Sequence, residues 1–131
     1  MYLIDTSVWI DFLRGRSTQS VRNFNEILEE NLAYGITGVI YQEILQGASS
    51  AEDFKQLANY LSTQRFFHFK DQVKSYENAA KIYYQCRQEG ITIRSSIDCL
   101  IAQIAIEHKL TLVHSDKDFE RISRVTSLKL L

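Results

Sequence analysis

Short apolar runs alternate along this chain with longer segments in which apolar residues recur every three or four positions. The short runs predict strands at residues 2–4, 33–37, 66–69, 110–113 and 125–131. The helical spacing predicts helices in the intervals, at residues 8–15, 17–32, 38–47, 49–61, 71–90, 95–105 and 116–122. Because strands that alternate with helices of about ten residues favour a parallel sheet, we predict a three-layer α/β/α domain with a central parallel sheet of about four or five strands.

Several predicted helices begin or end at recognisable capping residues. Ser49 and Glu52 have the spacing of a capping box, in which each side chain accepts a hydrogen bond from the backbone of the other residue. Asp71 is a candidate cap for the long helix that ends near Gly90. These signals predict the order of the elements more reliably than the residues at which each element begins and ends.

The composition is that of an ordinary globular protein. The 131 residues are 45% hydrophobic and 24% charged, so we expect one folded domain over residues 1–131. A net charge of −1 excludes a strongly basic coat for nucleic acid. No apolar run approaches the roughly 18 residues of a membrane span, and the N-terminus lacks a signal-peptide pattern. With only Cys86 and Cys99, both in helical patterns, we expect reduced thiols and a cytoplasmic protein.

Four of the 16 acidic residues occupy positions that solvated surface does not explain. Asp5 and Asp116 each follow a predicted strand and precede a predicted helix, at the sheet edge where parallel α/β folds bind ligands. Glu43 and Asp98 lie on the apolar faces of their predicted helices, with no Lys or Arg on either face within one turn. An ionised carboxylate on a buried face is costly unless it is paired or binds a metal.

Each of these acids also has an ordinary structural explanation. Asp5 is a candidate N-cap of the first helix, and Asp98 is a candidate partner of Ser95 in a capping box. Asp116 is a candidate first-turn acid that interacts with the helix dipole, and Glu43 can extend to the edge of the domain. Since all four lie toward one edge of the predicted sheet, a shared function explains them more economically.

Mutual repulsion makes such a cluster informative. Two carboxylates about 5 Å apart repel by about 3 kcal/mol at an effective dielectric constant of ~20. Several such pairs rival the ~5–15 kcal/mol that stabilises a whole domain, so the acids must take up protons or bind divalent cations. Oxygen ligands favour Mg²⁺ or Mn²⁺. We expect no Zn²⁺ site, because His68, His108 and His114 lack ligand spacing.

Three motifs resemble those of the PIN-domain family, and in particular the VapC-type ribonuclease toxins of toxin–antitoxin modules. The motifs are LIDTSVWIDFL at the start, YQEILQG in the middle, and IRSSIDCLIAQIAIEHKLTLVHSDKDFERI in the last third. They occur in the family's order and span essentially the whole chain. One departure is Cys99, which stands where many relatives carry Ala and supplies no needed oxygen.

The resemblance implies roles for particular residues of this chain. The family's acidic quartet, which is catalytic and binds metal, corresponds to Asp5, Glu43, Asp98 and Asp116, and Asp118 is a more peripheral additional acid. Thr6 and Ser115 match positions that orient the acids or their metal-bound waters. Basic residues beside the acidic segments are expected to contact RNA phosphates; these are Arg94, Lys117 and Arg14.

The implied function is hydrolysis of RNA phosphodiester bonds by an endoribonuclease with one or two Mg²⁺ or Mn²⁺ ions. The implied partners are an RNA substrate, a cognate antitoxin and a second copy of the chain. The antitoxin is expected in an apolar groove, for which the candidate residues are Trp9, Phe12, Leu13 and Tyr41. Two alternatives remain open: a catalytically inactive PIN-like interaction module and a DNA-directed nuclease of the same fold.

Overall fold

The computed structural model describes all residues from Met1 to Leu131. Five strands and seven helices follow one another as β1 (Tyr2–Ile4), α1 (Thr6–Leu13), α2 (Gln19–Glu29), β2 (Tyr34–Thr37), α3 (Gly38–Gln46), α4 (Ala51–Leu61), β3 (Phe66–Phe67), α5 (Lys74–Gln88), α6 (Ser96–Glu107), β4 (Thr111–Val113), α7 (Lys117–Ser123) and β5 (Lys129–Leu130). The predicted α/β class and order of elements are confirmed. None of these helices has the length and apolar character needed to cross a bilayer.

The strands form one parallel sheet in the order β3-β2-β1-β4-β5. Strand β1 lies at the centre, and its last residue Ile4 pairs with Val113, the last residue of β4. The chain order therefore reverses between β1 and β4, which is where the loops that leave the two strands diverge and open a crevice. Residues that immediately follow these strands must share one edge of the sheet.

The apolar core forms a single cluster of 25 buried residues across both faces of the sheet. Leu3, Ile4, Leu112 and Val113 of the two central strands are fully buried, as expected for a sheet covered on both sides. Trp9 packs edge-on against Phe24, with the ring centroids 5.0 Å apart. This contact holds α1 against α2.

The start of α4 differs from the prediction. Ser50 rather than Ser49 is the N-cap, and its side chain accepts a hydrogen bond from the Asp53 backbone N–H. Asp53 in turn accepts from the backbone and side chain of Ser49. Two Ser-x-x-acid pairs overlap in this sequence, and the spacing alone does not choose between them. Asp71 is not the N-cap of α5 as predicted, because Val73 occupies that position; the Asp71 carboxylate instead accepts from the Val73 and Lys74 N–H groups just before and at the start of the helix.

The two edge strands are shorter than predicted. Beyond Phe67 the backbone leaves the ladder, and the His68 carbonyl lies 2.7 Å from the His108 ring nitrogen instead. Before β5, the Thr126 hydroxyl donates to the Ile122 carbonyl and accepts from the Leu128 N–H. Side-chain hydrogen bonds thus replace strand pairing at both edges, which an apolar pattern does not reveal.

Adjacent strands pack so closely at Gly35 that a side chain larger than hydrogen does not fit there. A Cβ at Gly35 would clash with the carbonyl oxygen of Arg65, which directly precedes the neighbouring strand β3 and accepts a hydrogen bond from the Ile36 N–H of β2. We therefore predict that Gly35→Ala destabilises the protein by about 1–3 kcal/mol, which thermal unfolding would detect. Gly38→Ala is the matched control, since a Cβ at Gly38 meets no atom within 4 Å. Equal melting temperatures for the two variants would contradict this account.

Candidate active site

Asp5 lies at the end of the central strand and performs two tasks. Its Oδ2 atom accepts hydrogen bonds from the Ser7 backbone N–H at 3.2 Å and from the Ser7 hydroxyl at 2.6 Å, so it caps α1. The capping explanation is thus confirmed. Its Oδ1 atom accepts no hydrogen bond within the protein, although the residue is only 5% exposed. Burial raises the pKa of Asp5, with a further contribution from the charge of Glu43, against the lowering effect of the Ser7 hydrogen bonds.

Asp116 occupies the matching position after β4. It is the N-cap of α7, and its Oδ1 atom accepts from the Asp118 backbone N–H at 2.9 Å. The same atom lies 3.2 Å from the Arg94 guanidinium. Oδ2 of Asp116 accepts no hydrogen bond from the protein. As with Asp5, helix capping occupies one oxygen and leaves the other available.

Asp98 lies in the first turn of α6, which begins after the N-cap Ser95. The Ser95 hydroxyl accepts from the Ile97 N–H, but neither oxygen of Asp98 accepts a hydrogen bond from the protein. The structure therefore does not contain the reciprocal capping box that would have explained Asp98. Its carboxylate is half-buried without a protein donor.

Glu43 approaches the site from α3. Its Oε1 atom accepts a 2.7 Å hydrogen bond from the hydroxyl of Thr6, and Thr6 is the first residue of α1. Glu43 is therefore held by a residue next to Asp5 and does not extend freely to solvent. The Thr6 hydroxyl thus fixes the position of one oxygen of the Glu43 carboxylate.

The carboxylates gather closely enough to perturb one another. Asp98, Asp116 and Asp118 each place an oxygen within 4.8 Å of the others. Burial raises the pKa of Asp98 to about 7, and the charges of four further carboxylates add to the effect: Asp116, Asp5, Asp118 and Glu43. The tight group therefore contains Asp98 and Asp116 of the predicted quartet together with Asp118, whereas Asp5 and Glu43 lie outside it and act on Asp98 through their charges.

Asp118 is not peripheral, because it is 1% exposed and belongs to the tight group. The capped turn at Asp116 directs its side chain inward, where Oδ1 binds the Arg121 guanidinium at 2.6 Å. Oδ2 accepts from the backbone N–H of Arg94 at 3.2 Å and lies 3.4 Å from its Nε. Burial alone would raise the pKa of Asp118, but these hydrogen bonds and the charge of Arg94 outweigh it and lower the pKa.

The site thus contains two classes of carboxylate oxygen. Both oxygens of Asp118 are occupied by arginine donors, whereas Asp5, Glu43, Asp98 and Asp116 each retain at least one oxygen with no protein partner. Partly buried, unpartnered, all-oxygen donors match the preference of Mg²⁺ and Mn²⁺. The residues present therefore fit a hard divalent cation.

The other predicted site residues differ in position. Ser115 is exposed, Lys117 is exposed with no ion pair, and Arg14 lies at the C-cap of α1. Sequence reasoning missed Ser7 and Arg121, which hold Asp5 and Asp118 respectively. Local spacing in the sequence could have indicated both residues. Ser7 lies two residues after the helix cap Asp5, and Arg121 lies one helical turn after Asp118.

A pH-dependent cost of folding follows from the raised pKa of Asp98. Its folded-state pKa of about 7 exceeds the 3.8 of an unperturbed aspartate, so the folded protein binds more protons than the unfolded chain between these two pH values. In EDTA, the melting temperature of the wild-type protein should therefore fall as pH rises from about 4 to 7. Asp98→Asn should reduce this fall and raise the melting temperature at pH 8 by roughly 3–6 °C.

The exposed carboxylate of Glu26 provides the control, as Glu26→Gln should leave the pH profile unchanged. A large loss of stability in Asp98→Asn at every pH would instead show that this carboxylate is needed to hold α6 in place.

Comparisons with known proteins identify the family of the chain. The PIN domain family model matches residues 2–125. Ribonuclease VapC11 of Mycobacterium tuberculosis and a VapC ribonuclease of Mycobacterium bovis are each 35% identical over 130 residues, covering 98% of this chain and 96% of the relative.

Two solved complexes have similar folds. VapBC2 of Rickettsia felis bound to a promoter DNA fragment gives a TM-score of 0.74 at 22% identity, and VapBC-1 of nontypeable Haemophilus influenzae gives 0.74 at 20%. Each alignment covers 99% of this chain and 96% of the solved chain. With the sequence motifs, the fold and the carboxylate cluster in agreement, the chain belongs to the PIN domain family.

Proposed function

We propose that this protein is an endoribonuclease toxin of the VapC type, inhibited by a cognate antitoxin. The observation that carries the proposal is the set of carboxylate oxygens without protein partners at the end of the central strands, on Asp5, Glu43, Asp98 and Asp116. Curated relatives that align over 98% of the chain are named ribonucleases. Cleavage of RNA phosphodiester bonds is the chemistry that both lines of support share.

We propose Mg²⁺ or Mn²⁺, one ion or two, as the cofactor, with Asp5, Asp98 and Asp116 as its main ligands. Such an ion lowers the pKa of a bound water and stabilises negative charge on the phosphate oxygens. Support comes from the raised pKa values of Asp5 and Asp98, because a nearby cation favours the ionised form that burial and crowding oppose.

The protein itself positions the reacting groups. Glu43, oriented by the Thr6 hydroxyl, is proposed to hold the attacking water or a second ion with its free oxygen. Asp118 acts as a positioning residue, because both of its oxygens bind arginine side chains that border the site. Ser115 remains a proposed contact to water at the exposed mouth of the site.

Phosphate contacts are proposed for Arg94, Lys117 and Arg14. The Arg94 side chain is 72% exposed, so it can reach a phosphate while its Nε and one terminal nitrogen contact Asp118 and Asp116. Lys117 begins α7 beside the site. Arg14 lies farther along α1 and lines a different cavity.

That cavity is the proposed site for a segment of the antitoxin. It has a volume of about 300 Å³ and is lined by Ile10, Leu13, Arg14, Ile44, Gly47, Ser49, Asp53 and Leu57. Of the four groove residues suggested by the sequence, Leu13 lines it, whereas Trp9 is fully buried in the core. The solved structures with similar folds are themselves toxin–antitoxin complexes, which supports a protein partner of this kind.

The remaining expectations stand as proposals: a single domain over residues 1–131, a homodimer and a cytoplasmic location. A DNA-directed nuclease and an inactive interaction module remain the competing functions. They are separated from the proposed activity by the substrate and metal dependence of cleavage.

RNA cleavage provides the direct test. Purified protein should cleave total RNA in the presence of Mn²⁺ or Mg²⁺, because the ion completes the carboxylate site, and EDTA should abolish the activity. Asp98→Asn should reduce cleavage by at least 100-fold and remove the increase in melting temperature that Mn²⁺ gives the wild-type protein. Gel analysis of RNA and thermal unfolding provide the two readouts.

Single-stranded and duplex DNA are incubated in parallel with the RNA, and Glu26→Gln is the control variant. Cleavage of DNA alone would favour the DNA-directed alternative. Binding of Mn²⁺ without cleavage of any nucleic acid would favour the interaction module.

Thr6 tests the proposed role of Glu43. Thr6→Val removes the hydroxyl donor with little change of shape, so the Glu43 carboxylate loses its fixed orientation. We predict a fall in kcat of roughly tenfold or more with a nearly unchanged KM, and an altered pH profile of kcat. Thr6→Ser retains the donor and should restore most of the activity. Full kcat in Thr6→Val would refute the positioning role.

A further inference from the structure

A groove rich in arginine opens beside the carboxylate cluster. Its inner part is a cavity of about 400 Å³ lined by Gly90, Ile91, Thr92, Arg94, Arg121 and Arg124. It adjoins a cavity of about 200 Å³ that shares Gly90, Ile91 and Thr92 and adds Tyr83, Arg87 and Ile93. We name these two connected cavities the arginine groove.

The arginine groove carries positive charge that the protein does not neutralise. No acidic residue lines either cavity. Arg94 and Arg121 bind Asp118, but Arg87 and Arg124 make no ion pair. Both of these arginines are exposed. An uncompensated pair of guanidinium groups is suited to phosphate, which it can bind through two parallel hydrogen bonds.

The groove leads directly to the proposed site of cleavage. Arg94 lines its inner end and lies 3.2 Å from Asp116 and 3.4 Å from Asp118. At the outer end, the Tyr83 side chain lines the cavity with the residue 38% exposed. Aromatic rings of this kind stack on the bases of single strands, which duplexes do not offer. The combination of aromatic ring and arginines favours a nucleic-acid strand over an acidic protein segment.

We propose that the arginine groove binds the single-stranded RNA that flanks the cleaved bond, with Arg87 and Arg124 contacting phosphates and Tyr83 stacking on a base. This inference rests on the proposed ribonuclease function and assigns the path by which the substrate enters. Arg94 and Arg121 are unsuitable test positions, because they also hold Asp118. Arg87, Arg124 and Tyr83 make no hydrogen bond or ion pair with the five carboxylates of the site.

The test measures binding separately from cleavage. A fluorescein-labelled single-stranded RNA of 12 nucleotides and mixed sequence is titrated with protein carrying Asp98→Asn in EDTA, and fluorescence anisotropy gives Kd. Arg87→Ala and Arg124→Ala should each weaken binding about three- to tenfold. Each should also reduce the slope of log Kd against log salt concentration by about 0.7. Tyr83→Ala should weaken binding about tenfold, and Tyr83→Phe should retain the wild-type affinity.

Lys55→Ala is the charge-matched control, since Lys55 is exposed on α4 and lines neither cavity. Circular dichroism confirms that each variant is folded. Affinities equal to that of Lys55→Ala would overturn the proposal, as would unchanged RNA binding together with lost binding of a polyglutamate peptide.

The two proposals fail in different ways. Wild-type protein that cleaves RNA but whose groove variants bind RNA normally would refute the arginine groove alone. Wild-type protein that cleaves nothing, while its RNA affinity still depends on Arg87 and Arg124, would refute the nuclease function and support the groove as an RNA-binding site.

Discussion

Electrostatic repulsion among carboxylates at one edge of the sheet is the constraint on which the rest of the site depends. The pairing of Ile4 with Val113 aligns the ends of β1 and β4, so the acids that follow these strands are brought together. The fold relieves the repulsion in part through Ser7, Thr6 and the two arginines around Asp118. Burial first, and the remaining repulsion second, raise the pKa of Asp98 to about 7, so that its ionised form is disfavoured unless a cation lies nearby.

This partial relief separates structural from chemical roles among residues of one type. An oxygen that accepts hydrogen bonds from two donors is already stabilised as an anion and gains less from an ion than an oxygen with none. Asp118 therefore anchors Arg94 and Arg121, whereas Asp98 faces the site without a donor. The hydrogen-bond pattern supports this proposed division of roles without any reference to other proteins.

The sequence predicted the fold, and it predicted that Asp98 and Asp116 lie together, because both depend on strong local signals. The apolar run of residues 2–4 followed by Asp5 locates a strand end, and a parallel topology then determines which ends meet. The importance of Asp118 was missed, because it depends on Arg94, which lies 24 residues away and approaches from the loop before α6. The cap of α4 was displaced because two adjacent serines fit the same spacing. Long-range partners and competing local patterns are what a single sequence does not resolve.

Charge segregation reconciles a near-neutral chain with a nucleic-acid substrate. A net charge of −1 excludes a general basic surface, and the acidic cluster would by itself repel a phosphate backbone. The structure places four arginines together in the groove beside that cluster, so an approaching strand meets local positive charge before it reaches the carboxylates. Arg94 and Arg121 lie at the boundary and contact both regions. In the proposed function, adjacent surfaces of opposite sign attract the strand and bind the cation, and Asp118 connects the two surfaces through Arg94 and Arg121.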